Sequence, residues 1–105
     1  MSMFGLLNKL DINKGLEAYA ATPDAVLLDA RSPEEYAGGH IAGSQNLSLQ
    51  TWNRAEMLIP EKDTPIFVYC HSGARSRRMV GVLQKLGYTN VTDIGGIVDY
   101  RGPLE

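Results

Sequence analysis

The 105-residue chain has a single cysteine, which excludes an internal disulfide and with it a stapled secreted mini-protein. One cysteine also cannot build a zinc site of two or four thiolates, or a two-cysteine redox motif, within one chain. Long apolar runs are missing as well. The longest, Ile66 to Cys70, is five residues, against the roughly 20 that a membrane-spanning helix needs. Charge of one sign is not in excess: 10 Lys+Arg face 12 Asp+Glu, a net charge of −2. Such a balance gives no field to hold nucleic acid through its phosphates. The segment Met1-Ser2-Met3-Phe4-Gly5-Leu6-Leu7 has no basic region ahead of it and no small-residue cleavage site after it, so it does not read as a secretory leader. There is no repeat, low-complexity tract or linker. What is present is 44% hydrophobic residues in a length typical of one domain. Area scaling predicts that folding buries about 65% of the extended-chain surface, enough for a core without disulfides or metal. The expectation is one cytoplasmic domain over residues 1–105, with no membrane and no nucleic acid among its partners.

Two short runs read as buried strands. Ala25-Val26-Leu27-Leu28 follows the turn Thr22-Pro23-Asp24, and Pro65-Ile66-Phe67-Val68-Tyr69 follows Glu61-Lys62-Asp63. Both are nearly continuous in apolar, β-branched or aromatic residues, which suits a parallel sheet covered on both faces. Asn90 to Ile94 is a weaker strand and Gln45-Asn46-Leu47 a short one. Helices are predicted between them. Asp11 is an N-cap for Ile12 to Ala20, with Ile12, Leu16 and Tyr19 on one face. Ser32-Pro33-Glu34-Glu35 reads as cap, proline and acidic first turn of a helix ending at Gly38-Gly39. Thr51 to Met57 forms a short helix closed before Pro60. Ser76 to Leu86 carries Met79, Val80, Leu83 and Leu86 at helical spacing, with Gly87 as its stop. Strands alternating with helices make an α/β domain.

Cys70 stands where a strand ends and a helix is about to begin, in the segment Cys70-His71-Ser72-Gly73-Ala74-Arg75. Small residues there let successive N–H groups turn inward as an anion-binding nest. The helix N-terminus adds partial positive charge, and Arg75, Arg77 and Arg78 add full charges. A setting of this kind favours the thiolate, the form a sulfur nucleophile needs. The other reading is a core cysteine closing a buried strand; the glycine and arginine spacing favours the nucleophile.

The segment Tyr69-Cys70-His71-Ser72-Gly73-Ala74-Arg75-Ser76 resembles the active-site loop of the rhodanese (thiosulfate sulfurtransferase) family. Leu27 to Tyr36 (LLDARSPEEY) and Gly39 to Asn46 (GHIAGSQN) are similar to that family's N-terminal signature. Gly95-Gly96-Ile97-Val98-Asp99-Tyr100 and Gly102-Pro103 are similar to its C-terminal one, so the resemblance spans residues 25–103 in order. Ala42 stands where the family usually has proline and Tyr100 where it usually has tryptophan, both packing positions.

The resemblance implies a three-layer α/β fold, a mainly parallel sheet of about five short strands flanked by helices. It implies a ping-pong sulfurtransferase without cofactor or metal. Cys70 takes sulfane sulfur from thiosulfate or a related donor as a persulfide, lying in the nest of His71, Ser72, Gly73, Ala74 and Arg75. Because no second cysteine can resolve that persulfide, an external thiol or protein takes the sulfur. Asp29, Arg31, His40 and Ser76 are supporting residues. For Asp29 and Arg31 an ordinary surface ion pair is the alternative, and His40 reads as a structural histidine rather than a general base. His71 lies beside Cys70, but neighbours in sequence point apart, which leaves it at the mouth of the site. Trp52 reads as packing or as an aromatic wall near the pocket. Related phosphatases and arsenate reductases place five residues between Cys and Arg; here four, His71 to Ala74, separate Cys70 from Arg75, a tighter loop that disfavours a tetrahedral oxyanion. A sulfur-carrier module, docking a protein partner through Arg75, Arg77 and Arg78, is the competing class.

Overall fold

The computed structural model describes residues 10–105, so the segment Met1 to Leu7 discussed above lies outside the described residues. Asp11 caps α1 (Ile12–Ala21), its carboxylate accepting from the N–H groups of Asn13 and Lys14 at 2.8 and 3.3 Å. After β1 (Val26–Asp29) comes α2 (Pro33–Ala37), which is only five residues long and is closed by a capping box. Ser32 Oγ accepts from the Glu35 N–H while Glu35 accepts from the Ser32 N–H, so two orphan donors are satisfied reciprocally. Strand β2 (Ser44–Asn46) follows, then a 3₁₀ segment Leu49–Arg54 kinked at Thr51, which leads into α3 (Ala55–Leu58). The chain continues through β3 (Ile66–Cys70), α4 (Ala74–Lys85), β4 (Val91–Gly96) and a terminal 3₁₀ turn Ile97–Asp99.

The strands pair in parallel in the order β2-β1-β3-β4. Side chains alternate across a strand, and the core divides accordingly. Leu28, Ile66, Val68 and Cys70 face one side with Met79 and Leu83 of α4 and Ala55 of α3. Leu27, Phe67 and Tyr69 face the other with Ile12 of α1, Ile41 and Ile94. All five residues of β3 are buried, as a central parallel strand covered on both faces requires. Four strands, not about five, make up the sheet among the described residues. The expected strands are present with ends shifted by one or two residues. The expected helix from Ser76 starts instead at Ala74, and the one expected over Thr51–Met57 is split between the 3₁₀ segment and α3. Among the described residues no helix is long and apolar enough to cross a membrane.

One register shift has consequences for the site. Val68 pairs with Asp93 and Tyr69 with Gly95, so Ile94 is the extra residue of a bulge in β4. Ile94 then packs so closely on α1 that a Cβ at Gly15 would sit 2.3 Å from Ile94 Cγ2. Glycine inside a helix ordinarily costs about 0.5–1 kcal/mol relative to alanine, whereas overpacking costs about 1–3 kcal/mol. Gly15→Ala is therefore expected to lower the urea midpoint of unfolding. In an Ile94→Ala background the same change is expected to become neutral or stabilising. A rise in stability for Gly15→Ala alone would contradict this packing.

Candidate active site

Cys70 is the last residue of β3 and only 1% exposed, on the floor of the loop that follows. Gly73 turns that loop with φ +111°, a conformation that a side chain disfavours. Its N–H donates to Cys70 Sγ at 3.0 Å. Gly73 is also the N-cap of α4, and no side chain caps that helix. The N–H groups of Ala74, Arg75 and Ser76 therefore begin α4 without intrahelical acceptors, at the positive end of the helix dipole. His71 and Ser72 are exposed above the thiol.

Two contacts from the chain's C-terminal part hold this loop. The Val98 N–H donates to the His71 carbonyl at 3.1 Å. Gly96 has no Cβ where one would lie 2.3 Å from the His71 carbonyl oxygen, so the end of β4 runs directly beneath the loop. Ser76 is fully buried at the first turn of α4, and its Oγ lies 3.5 Å from Cys70 Sγ.

Arg75 does not point at the sulfur as an unpaired cation. Its guanidinium is held in a bidentate pair with Glu35 of α2, at 2.6 and 3.0 Å. The Arg75 guanidinium and the Ser32 N–H hold the Glu35 carboxyl down at about 2, and the pair in turn raises the guanidinium pKa. Of the three arginines read as a docking cluster, only Arg77 and Arg78 are exposed. A cavity of about 480 Å³ opens beside the pair, lined by Ser32, Ser48, Gln50, Arg75 and Arg78 among others.

The remaining sequence candidates sit farther out. Asp29 and Arg31 are not a surface pair: their side chains are 0% and 7% exposed, and Arg31 Nη2 donates to Asp29 Oδ2 at 2.7 Å. The same guanidinium donates to the Gly39 carbonyl at 2.7 Å, which latches the loop after α2 to the end of β1. Burial pushes the Tyr69 phenol up to about 12, so it stays protonated, donates to Ser44 Oγ and accepts from the Ile41 N–H. His40 stacks on Tyr36 with ring centroids 3.8 Å apart and its Nδ1 lies 2.9 Å from the Tyr36 carbonyl, so it is tied to α2 and not to the thiol loop. Trp52 lines a separate hollow with Val82, Lys85 and Leu86 and not the cavity beside Arg75.

Two residues beside the loop escape sequence reasoning. Glu35 reads locally as part of an acidic first turn, and its partner is 40 positions away. Asp93 reads as a polar interruption of a weak strand, yet it is buried and accepts from Ser76 Oγ at 2.8 Å. It shares with Val91 the face of β4 that is turned to α4, just before the bulge at Ile94.

The Glu35–Arg75 pair yields a prediction. A carboxyl held below its ordinary range contributes stability that is present above the unfolded value and lost as pH falls through the folded one. The side chains are 35% and 37% exposed, so solvent screening limits the pair to about 1 kcal/mol or less. Glu35→Gln, which keeps the capping box, is expected to lower the denaturant midpoint at pH 7. The difference from wild type is expected to vanish as pH falls from about 4.5 towards 2 and to shrink in high salt. A difference that is independent of pH would contradict the pair.

A family model described as a rhodanese-like domain matches residues 13–102. The chain is 34% identical over 77 residues to thiosulfate sulfurtransferase PspE of Escherichia coli, covering 72% of this chain and 74% of that protein. It is 34% identical over 94 residues to a sulfurtransferase of Allochromatium vinosum, covering 89% and 87%. The solved structure of a rhodanese with anions from E. coli superposes with a TM-score of 0.71 at 32% identity, covering 77% of this chain and 96% of that one. With a match over this length, on a parallel sheet that ends in a cysteine loop at a helix start, the chain belongs to the rhodanese-like domain family.

Proposed function

We propose that this protein is a sulfurtransferase that carries sulfane sulfur on Cys70. The observation that supports it best is the thiol's place: Sγ accepts the Gly73 N–H at 3.0 Å, directly before a helix whose first N–H groups have no side-chain cap. Fixed donors of this kind suit an anionic sulfur and stabilise charge where it develops.

In the proposed cycle Cys70 Sγ attacks the outer sulfur of thiosulfate or a related donor. The S–S bond to sulfite breaks, and sulfite leaves with the electron pair. The terminal sulfur of the persulfide then lies among the N–H groups of the loop. A thiophilic acceptor attacks that sulfur, and the Cys70 thiolate leaves. The cavity beside Arg75, lined also by Arg78, Ser32 and Ser48, offers the approach for an anionic donor. Arg75, braced by Glu35, fixes the start of α4 and adds positive potential. The curated relatives named thiosulfate sulfurtransferase and sulfurtransferase agree with this chemistry. So does the four-residue spacing from Cys70 to Arg75.

An external acceptor follows from the cysteine count, since one thiol cannot discharge its own persulfide. A reducing compartment such as the cytoplasm suits an unpaired nucleophilic thiol. Carriage to a specific protein partner is the second reading, favoured by Arg77 and Arg78, which are exposed on the first turn of the helix behind the thiol. Fast discharge to a protein acceptor with slow discharge to cyanide would select it.

Intact-protein mass after exposure to thiosulfate is expected to rise by one sulfur atom, and cyanide is expected to remove that sulfur as thiocyanate. Cys70→Ser is expected to take up none. An unmodified wild-type protein, or sulfur uptake that survives in Cys70→Ser, would refute the proposal.

A further inference from the structure

Beneath the thiol lies a buried hydroxyl and carboxylate that the cycle above does not use. Ser76 is 0% exposed and Asp93 5%. Ser76 Oγ lies 2.8 Å from Asp93 Oδ1, 3.1 Å from the Gly73 carbonyl oxygen and 3.5 Å from Cys70 Sγ. A serine hydroxyl has one hydrogen and two lone pairs. The shorter bond, to a carboxylate, takes that hydrogen. Ser76 then turns a lone pair towards the sulfur, so Cys70 donates its S–H to Ser76 Oγ. The geometry is fixed by the bulge in β4, because the Gly95 N–H donates to the same Asp93 oxygen at 2.9 Å and holds the carboxylate beneath α4.

We propose that Asp93 is a positioning residue that acts through Ser76 to hold the proton of Cys70 and to receive it when the thiol reacts. The proposal rests on Cys70 being the nucleophile. As Sγ bonds to the donor's outer sulfur and sulfite leaves with its electron pair, the S–H proton passes to Ser76 Oγ, and the Ser76 hydrogen passes to Asp93 Oδ1. Two hydrogens move one place each, and no oxidant or reductant is needed. When the acceptor takes the sulfur and the thiolate is released, the hydrogens shift back.

Opposing influences meet at the sulfur. The Gly73 N–H favours the thiolate, while the Ser76 lone pair and the negative charge of Asp93 favour the thiol. The other charged or titratable groups around it are His71 in the loop, Arg75 on α4 held by Glu35 of α2, the Asp29–Arg31 pair at the end of β1, and Asp11 and Asp99, which line a hollow with Ser72, Gly73 and Gly95. Among the described residues none of these hydrogen-bonds to Cys70 Sγ, Ser76 Oγ or the Asp93 carboxylate.

The test is the pH dependence of Cys70 alkylation by iodoacetamide, which reports on the chain's only thiol whatever cargo it carries. Asp93→Asn removes the charge and frees the Ser76 hydrogen to turn to sulfur. The midpoint of the alkylation profile is expected to fall by about one pH unit. Ser76→Ala removes the acceptor of the S–H bond, and it too is expected to lower the midpoint. In the Ser76→Ala background Asp93→Asn is expected to add little, because its effect passes through the hydroxyl. If Asp93→Asn does not fold, Ser76→Ala alone decides by the same criterion. A midpoint that stays or rises in both variants, or an Asp93→Asn shift of equal size with and without Ser76, would overturn the proposal. Thiosulfate loading measured alongside separates the two ideas: loading without a midpoint shift leaves the sulfurtransferase and removes the relay, and the reverse result leaves the relay and removes the cargo.

Discussion

The turn at Gly73 is the constraint on which the site depends. At φ +111° the chain passes from β3 into α4 in three residues, and the amide that makes the turn donates to Cys70 Sγ. A side-chain cap would occupy the first amides of α4; glycine supplies none. The same residue therefore sets the path of the backbone, binds the sulfur and leaves the helix start open. A twelve-residue helix stands behind it, long enough for its dipole to matter at the first turn. The opposite end of that helix is anchored in the core through Leu83, so the cradle rests on a rigid element.

The remaining elements hold that turn from three directions. β4 passes beneath it, where Gly96 permits contact with the His71 carbonyl and Val98 donates to the same oxygen. α2 braces it from the side through Glu35 and Arg75. The buried Asp29–Arg31 latch fixes the loop that follows α2 to the end of β1, which keeps α2 at the carboxyl edge of the sheet where ligands of α/β proteins commonly bind. Breaking a buried pair of this sort leaves an uncompensated charge and costs about 3–5 kcal/mol. In the proposed sulfur cycle these contacts keep the loop from rearranging as charge moves between Sγ and the terminal sulfur.

Much of this arrangement is legible in the sequence. β3 is visible because Ile66 to Cys70 is an unbroken apolar run, and the structure buries every residue of it. α2 is visible because Ser32, Pro33, Glu34 and Glu35 read as cap, proline and acidic first turn, which the structure closes with a capping box. The start of α4 is less visible: Ser76 is the first residue of a capping type, whereas the helix begins at Ala74 behind a glycine. Long-range pairing is invisible to local pattern. Nothing around Glu35 announces a partner 40 residues away, and Arg75 alone reads as a cation aimed at the substrate. A period-two pattern hides the bulge at Ile94, and although it puts Asp93 on the same face as Val91, nothing local shows that this face meets Ser76 of α4. For Asp29 and Arg31 the sequence leaves a supporting role and an ordinary surface pair both open; the pairing of β1 with β2 and β3 is what puts them inside.

The central claim is that the loop amides from Gly73 onward receive a sulfur carried by Cys70, and a crystal structure of the protein treated with thiosulfate tests it most directly. The account predicts one additional sulfur atom bonded to Cys70 Sγ, within hydrogen-bonding reach of the N–H groups of Ala74 and Arg75, with the Gly73 turn unchanged. An unmodified Cys70, or an added sulfur directed away from the start of α4, would contradict it.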